Sequence, residues 1–160
     1  MTLEEKLRSD FQEAQRAHNA FRAEVFRSVF AAIQNRSIEN RSKGGGKTSL
    51  TDEEVLEIIA KEAKKRKEAA VLFREGSRTE LAEKEEKELR ELERYLPQPL
   101  SLEELHVVIH DVLQKFKGDA TQNNFGKIMG EVMRSVKGRA DASQVGTLLK
   151  EALEKERSDA

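Results

Sequence analysis

Apolar residues recur every three or four positions along almost the whole chain, and this spacing constrains the fold more than any other feature. Leu3, Leu7, Phe11 and Ala14 form one series, and Phe21, Val25, Val29 and Ile33 a second. Val55, Ile59, Ala63, Ala70 and Phe73 form a third, with a charged gap near Arg66, and Leu81, Leu89, Leu92 and Leu96 a fourth. Leu105, Ile109 and Leu113, then Ile128, Val132 and Val136, then Val145, Leu149 and Leu153 complete the set. Such steps put each series on one stripe of an α-helix, so the reading is an all-α fold of about seven helices. Start signals agree. Thr2, Thr51, Ser77 and Ser101 each stand three residues before a glutamate (Glu5, Glu54, Glu80, Glu104), and Asp141 three before Gln144. In this capping box the small polar side chain accepts from amides left unpaired by the first turn, while the acid or amide reaches back.

Two interruptions divide the chain. Asn40 to Leu50 is polar and rich in glycine, which predicts a mobile loop. Its Gly44-Gly45-Gly46-Lys47-Thr48 is not a phosphate loop, because that pattern needs glycine where Arg41 stands and a strand before it. Leu96-Pro97-Gln98-Pro99-Leu100 predicts a stiff extended linker, since each proline fixes its own φ and disfavours helix in the residue before it. The expected organisation is an N-terminal domain of about four helices over residues 1–96, a proline linker over 97–100, and a small three-helix C-terminal domain over 101–157. No internal repeat stands out.

Charge and composition exclude several classes. The 160 residues carry 29 bases against 30 acids, so any nucleic-acid contact must come from a local patch. The absence of cysteine excludes disulfides, thiolate catalysis and cysteine-based zinc sites, and fits a reducing compartment. The acidic beginning, without an apolar core, does not read as a signal peptide and its acids argue against a transit peptide, and no apolar run reaches the roughly 18 residues of a membrane span. The expectation is a cytoplasmic protein without a membrane partner. His106 and His110 are four apart but lack a third ligand, so no metal is assigned. Lys64-Lys65-Arg66-Lys67, between Glu62 and Glu68, reads as a solvated helix face laced with i,i+4 pairs. No Ser-His-Asp set or carboxylate pair can be argued, and neither a catalytic residue nor a cofactor is assigned.

The most informative stretch is Asn123 to Asp141, NNFGKIMGEVMRSVKGRAD. Gly126 and Gly130 lie four apart on one helical face, at a cost of about 1 kcal/mol each against alanine. Such glycines suit close approach by another backbone or by a ligand. Gly138 suits the end of the helix, with Lys137 and Arg139 flanking a tight turn before the Asp141 cap. Between Lys115 and Arg139 there are six bases (Lys115, Lys117, Lys127, Arg134, Lys137 and Arg139) against Asp119 and Glu131. Cations so clustered can sit where phosphates lie. From the residues alone, helix packing by the glycines with solvated bases is the stronger reading, and RNA contact the competing one.

Phe125 to Asp141, FGKIMGEVMRSVKGRAD, is very similar to the FGKVMGxVMPKxKGRAD signature of the GatB/YqeY family, and Lys65 to Pro97 resembles the family segment ending Glu-x-Tyr-Leu-Pro. The resemblance covers nearly the full length. Arg134 departs from a usual proline, Ala142 from a frequent glycine and Ser77 from a common glycine, and the Arg41–Thr48 loop is longer than usual. The resemblance implies a helical N-terminal domain and a small helical tail. In the glutamine-dependent tRNA amidotransferase, a carbon–nitrogen ligase with glutamine as amido donor, the related domain is an appendage of the GatB subunit that helps to hold tRNA. Catalysis belongs to other domains there, so no active site carries over. The expected role is an accessory module for tRNA or another structured RNA, or for a tRNA-modifying enzyme complex, with Lys127, Lys137 and Arg139 on phosphates and Gly126 and Gly130 allowing close approach. The alternatives are a protein-interaction helper without RNA contact, and an amidotransferase component acting with partner subunits.

Overall fold

Each apolar series becomes a helix in the computed structural model, which describes residues 1–44, 46 and 49–159. In chain order these are α1 (Leu3–Arg16), α2 (Ala20–Ser42), α3 (Asp52–Glu75), α4 (Thr79–Glu93), α5 (Leu102–Lys115), α6 (Phe125–Val136) and α7 (Ala142–Ser158). A single 3-10 turn, Gln122–Asn124, leads into α6. The fold is all-α, with no strand among the described residues, and none of the described helices is long and apolar enough to cross a membrane.

Three of the capping boxes close fully. The hydroxyls of Thr2, Thr51 and Ser101 each accept from the third-residue glutamate amide at 3.2 Å. The glutamates accept in return from the capping residue's own amide at 2.7, 2.9 and 2.9 Å. Those amide bonds hold Glu5, Glu54 and Glu104 below the usual carboxylate range. Asp141 stands at the start of α7. The Ser77 box does not form. Ser77 is left-handed, with φ 57, and α4 starts after Arg78 without a side-chain cap. The position where the resemblance expects glycine is therefore the one that takes the positive φ, and serine holds it at a strain of about 1 kcal/mol. α2 also runs through Ser42, so the first three residues of the expected loop are helical. Of that loop, Gly45, Lys47 and Thr48 lie outside the described residues.

The helices pack as two compact units, Met1–Leu96 and Pro97–Ala160. The core of the first joins Leu7 and Ala14 of α1, Val25, Phe26, Val29 and Ile33 of α2, Val55, Ile58, Ile59 and Ala63 of α3, and Leu92 of α4. The Leu3 amide donates to the Asp52 carboxylate at 2.9 Å and ties the start of α1 to that of α3. In the first turn of α4 Ala82 is buried and its neighbour Leu81, where the fourth apolar series begins, is exposed. Tyr95 packs edge-on against Phe26 at 6.0 Å and donates to the Asp10 carboxylate at 2.5 Å. Burial, then that hydrogen bond, pushes the Tyr95 phenol well above its ordinary value.

Arg66 corrects the solvated reading of its charged run. Lys64, Lys65 and Lys67 are exposed, but the Arg66 side chain is only 12% exposed. Its guanidinium holds Glu62 at 2.7 Å and Glu88 at 3.1 Å and donates to the Ser28 hydroxyl at 2.8 Å. One arginine thus fastens α2, α3 and α4 together. Both carboxylates are buried, so removing Arg66 leaves Glu62 to the exposed Lys65 at 2.8 Å and Glu88 to Lys84 at 3.8 Å.

In the second unit, Leu105, Ile109, Val112 and Leu113 of α5 meet Ile128, Val132 and Val136 of α6 and Val145, Leu149 and Leu153 of α7. Each fully buried Leu, Ile or Val contributes about 1.5–3 kcal/mol of apolar burial. Gly146 of α7, which the sequence reading did not select, faces α6: a Cβ there would be in ordinary contact with Met129 Cε at 3.9 Å.

Candidate nucleic-acid interface

α6 is built so that one face is apolar and the other almost bare. Ile128, Val132 and Val136, four apart, are 0–1% exposed and point into the unit. The opposite face carries Gly126, Gly130 and Arg134, again four apart, with Lys127 beside them. A Cβ built on Gly126 or Gly130 meets nothing within 4 Å. The expectation that these glycines serve helix packing is therefore overturned. Their missing side chains leave the helix surface open at Gly126, while at Gly130 the Arg134 Nε folds back to donate to the carbonyl at 3.4 Å.

The end of α6 is unusual. The chain turns left-handed at Lys137 (φ 49) and stays so at Gly138 (φ 76). The cap thus falls on Lys137, one residue before the glycine expected there. A lysine in this conformation is strained by about 1–2 kcal/mol. The two residues aim the chain back at the proline segment. There the Arg139 carbonyl accepts from the Leu100 amide at 2.8 Å, and Arg139 Nε donates to the Gln98 carbonyl at 2.7 Å. Arg139 is a clasp on the segment Pro97–Leu100, with its guanidinium partly committed.

The six candidate cations consequently separate. Arg134 is 76% exposed but leans on Glu131 at 3.2 Å. Lys115 and Lys117 sit where α5 ends, near the beginning of α6 and remote from the Lys137 turn. Leu153 and Arg157 of α7 line the same shallow depression as Gly118 and Asn123 of that loop. Lys127 stands in the first turn of α6, about 15 Å from Lys137 at 1.5 Å per residue. Lys115, Lys117, Lys127 and Lys137 are exposed and make no ion pair among the described residues. The arrangement is a row along one helix, with an unpaired cation near each end and two glycines and Arg134 between. His106 and His110 are exposed on α5, and no group of three His, Asp or Glu among the described residues is placed to hold a metal.

Comparison with known proteins gives this face its context. The profile of the family described as Yqey-like protein matches residues 4–153. The chain belongs to this family. The YqeY-like match takes in both units, including the α6 face and the Arg139 clasp. A protein of Pyrenophora tritici-repentis, altered inheritance of mitochondria protein 41, mitochondrial, is 27% identical over 151 residues, covering 92% of this chain and 79% of its own length. The protein of the same name from Kluyveromyces lactis is 28% identical over 142 residues, covering 86% and 73%. An uncharacterized protein of Schizosaccharomyces pombe is 44% identical over 55 residues, 34% of this chain and 45% of its own length, so this YqeY-like chain spans under half of that relative.

Proposed function

We propose that this chain is an accessory RNA-binding module for tRNA or another structured RNA, in which the outer face of α6 lies against the phosphate backbone. One observation carries the reading: a side chain added at Gly126 or Gly130 would meet nothing within 4 Å, while Lys127 and Lys137 on the same helix hold no carboxylate. Two glycines in a 12-residue helix cost stability that internal packing does not return. An external backbone or phosphate brought close to the helix does return it. Lys115 and Lys117 extend the row beyond the start of α6. Arg139 holds the turn that presents Lys137 and is secondary as a contact. The reading assigns no chemistry to the chain. We place its action in the cytoplasm, which the absence of cysteine suits, and the mitochondrial names of two relatives make the organelle the alternative that cell fractionation decides.

A mobility-shift titration with tRNA at two salt concentrations tests the proposal. Weak binding with steep salt dependence is expected, and K127Q/K137Q should lower the salt slope by about 2. Undetectable binding at low salt ends the reading. One feature favours a protein partner instead: Val71, Leu72 and Leu81 on α3 and α4 are 52%, 66% and 41% exposed. A partner that is captured after nuclease treatment and lost on L72S/L81S would support that role.

A further inference from the structure

α1 and α2 carry the same three residues at the same spacing: Arg8, Phe11 and Gln15 on α1, and Arg27, Phe30 and Gln34 on α2, nineteen residues on. With Glu5 and Glu24, and Ser9 and Ser28, only five positions match at this offset, too few to stand out as a repeat. The helices are antiparallel, so the two sets cross. Arg8 lies over the Phe30 ring at 5.3 Å, Arg27 lies over the Phe11 ring at 6.0 Å, and the rings meet edge-on at 5.6 Å. Around them is an open groove of about 520 Å³, rimmed by Gln12, Gln15 and Gln34 and without a carboxylate in its lining. In a chain with as many acids as bases, that gap in the acids is a specific property of this surface.

The two arginines differ in what they have left to offer. Glu4 accepts from Arg8 Nε at 3.2 Å and from Nη2 at 2.7 Å, so one edge of that guanidinium is used and its flat outer face remains. A guanidinium whose edge is already on a carboxylate keeps its faces, which can stack on a planar π-system, whereas a further carboxylate would approach in its plane. Arg27 makes no hydrogen bond or ion pair among the described residues, so its donor fork is available for an anion. A planar ring joined to a phosphate satisfies both demands, and the glutamine amides supply donors and acceptors for a base edge.

We propose that the α1–α2 groove is a nucleotide site: a nucleobase stacks on the Arg8 guanidinium, its phosphate meets Arg27, and Gln12, Gln15 and Gln34 border the base. The occupant is a free nucleotide or an unpaired stretch of an RNA strand, which share this chemistry. The site is separate from the α6 face and stands or falls without it.

The test uses the full chain, a labelled single-stranded oligonucleotide of about eight residues, and adenosine and uridine monophosphates. Anisotropy reports affinity and amide NMR reports the side chains of Gln12, Gln15 and Gln34. All three amides should shift. R27Q should weaken binding about tenfold, within the range for losing one stacked or paired nucleotide contact. R8K keeps the charge and loses the plane, so it should weaken binding as much as R8Q. Circular dichroism of these surface variants should match the parent. Tighter binding of the oligonucleotide than of either monophosphate identifies the strand as occupant, and equal binding identifies the free nucleotide. R8K binding like the parent, R27Q without effect, or a polyglutamate peptide displacing the nucleotide as well as polyphosphate does would each overturn the site. Oligonucleotide binding abolished by K127Q/K137Q and untouched by R27Q would overturn it too, while supporting the α6 reading.

Discussion

Replacing Gly126 and Gly130 with alanine should make the protein more stable and less able to hold RNA. Neither added methyl meets an atom within 4 Å, so packing imposes no penalty. Gly130 is in the middle of α6, where alanine gains about 1 kcal/mol, and Gly126 is in its first turn, where the gain is smaller, on the order of 0.5 kcal/mol. The sum, about 1.5 kcal/mol, corresponds to a rise of about 6–12 °C in the melting temperature of a unit of this size. The second unit has no Tyr or Trp, and the only Tyr is Tyr95 in the first. Helical circular dichroism that changes without a change in Tyr95 fluorescence therefore belongs to the C-terminal unit. The gain should appear in that transition alone. The same variant should bind tRNA several-fold more weakly, because two methyls hold a phosphate backbone away from the helix. A lowered melting temperature would refute the open-face geometry. A raised one with unchanged tRNA affinity would remove close approach as the reason for the glycines.

Three further outcomes follow from described contacts. R66A should cost about 3–5 kcal/mol, read as an earlier urea midpoint by Tyr95 fluorescence, and a loss under 1 kcal/mol would show that Lys65 and Lys84 neutralise Glu62 and Glu88 without it. K137G should stabilise the C-terminal unit by about 1 kcal/mol, checked in its melting transition, by removing the left-handed strain. Tyr95 has a raised native pKa, so the native state keeps its proton after the unfolded chain begins to lose its own near pH 10, and stability should be constant below that value and fall above it. Absorbance of tyrosinate should rise only as the protein unfolds, and Y95F should flatten the alkaline slope.

Most of the helices were legible because an apolar residue every three or four positions has few other uses. The capping boxes at Thr2, Thr51 and Ser101 were legible for the same local reason. Ser77 was not, because its pattern is identical whether the residue begins a helix or makes the left-handed step after the previous one. Arg66 had a readable signal. It falls between Ala63 and Ala70 on the buried stripe of α3, so a charge there implies buried partners, which a run of four bases conceals. At the candidate interface, the charge count treated six cations as one group. Whether a base is committed depends on what folds beside it, as Gln98 does beside Arg139 and Glu131 beside Arg134. The cost of a helical glycine is legible from residue type, but only three-dimensional surroundings show that a methyl at Gly126 or Gly130 would meet nothing while one at Gly146 would touch Met129.

The crossed arginines and phenylalanines have a consequence for direction. Two antiparallel helices with one pattern form a local dyad, so a strand threaded 5′ to 3′ along the groove would meet nearly the same sequence of groups as one threaded the other way. Two differences break the equivalence: Glu4 grips Arg8 where α2 has Ala23, and Gln12 lines the groove where α2 has Ala31. Polarity in such a groove would rest on one carboxylate and one amide, and E4A/Q12A should leave a surface that no longer tells head from tail.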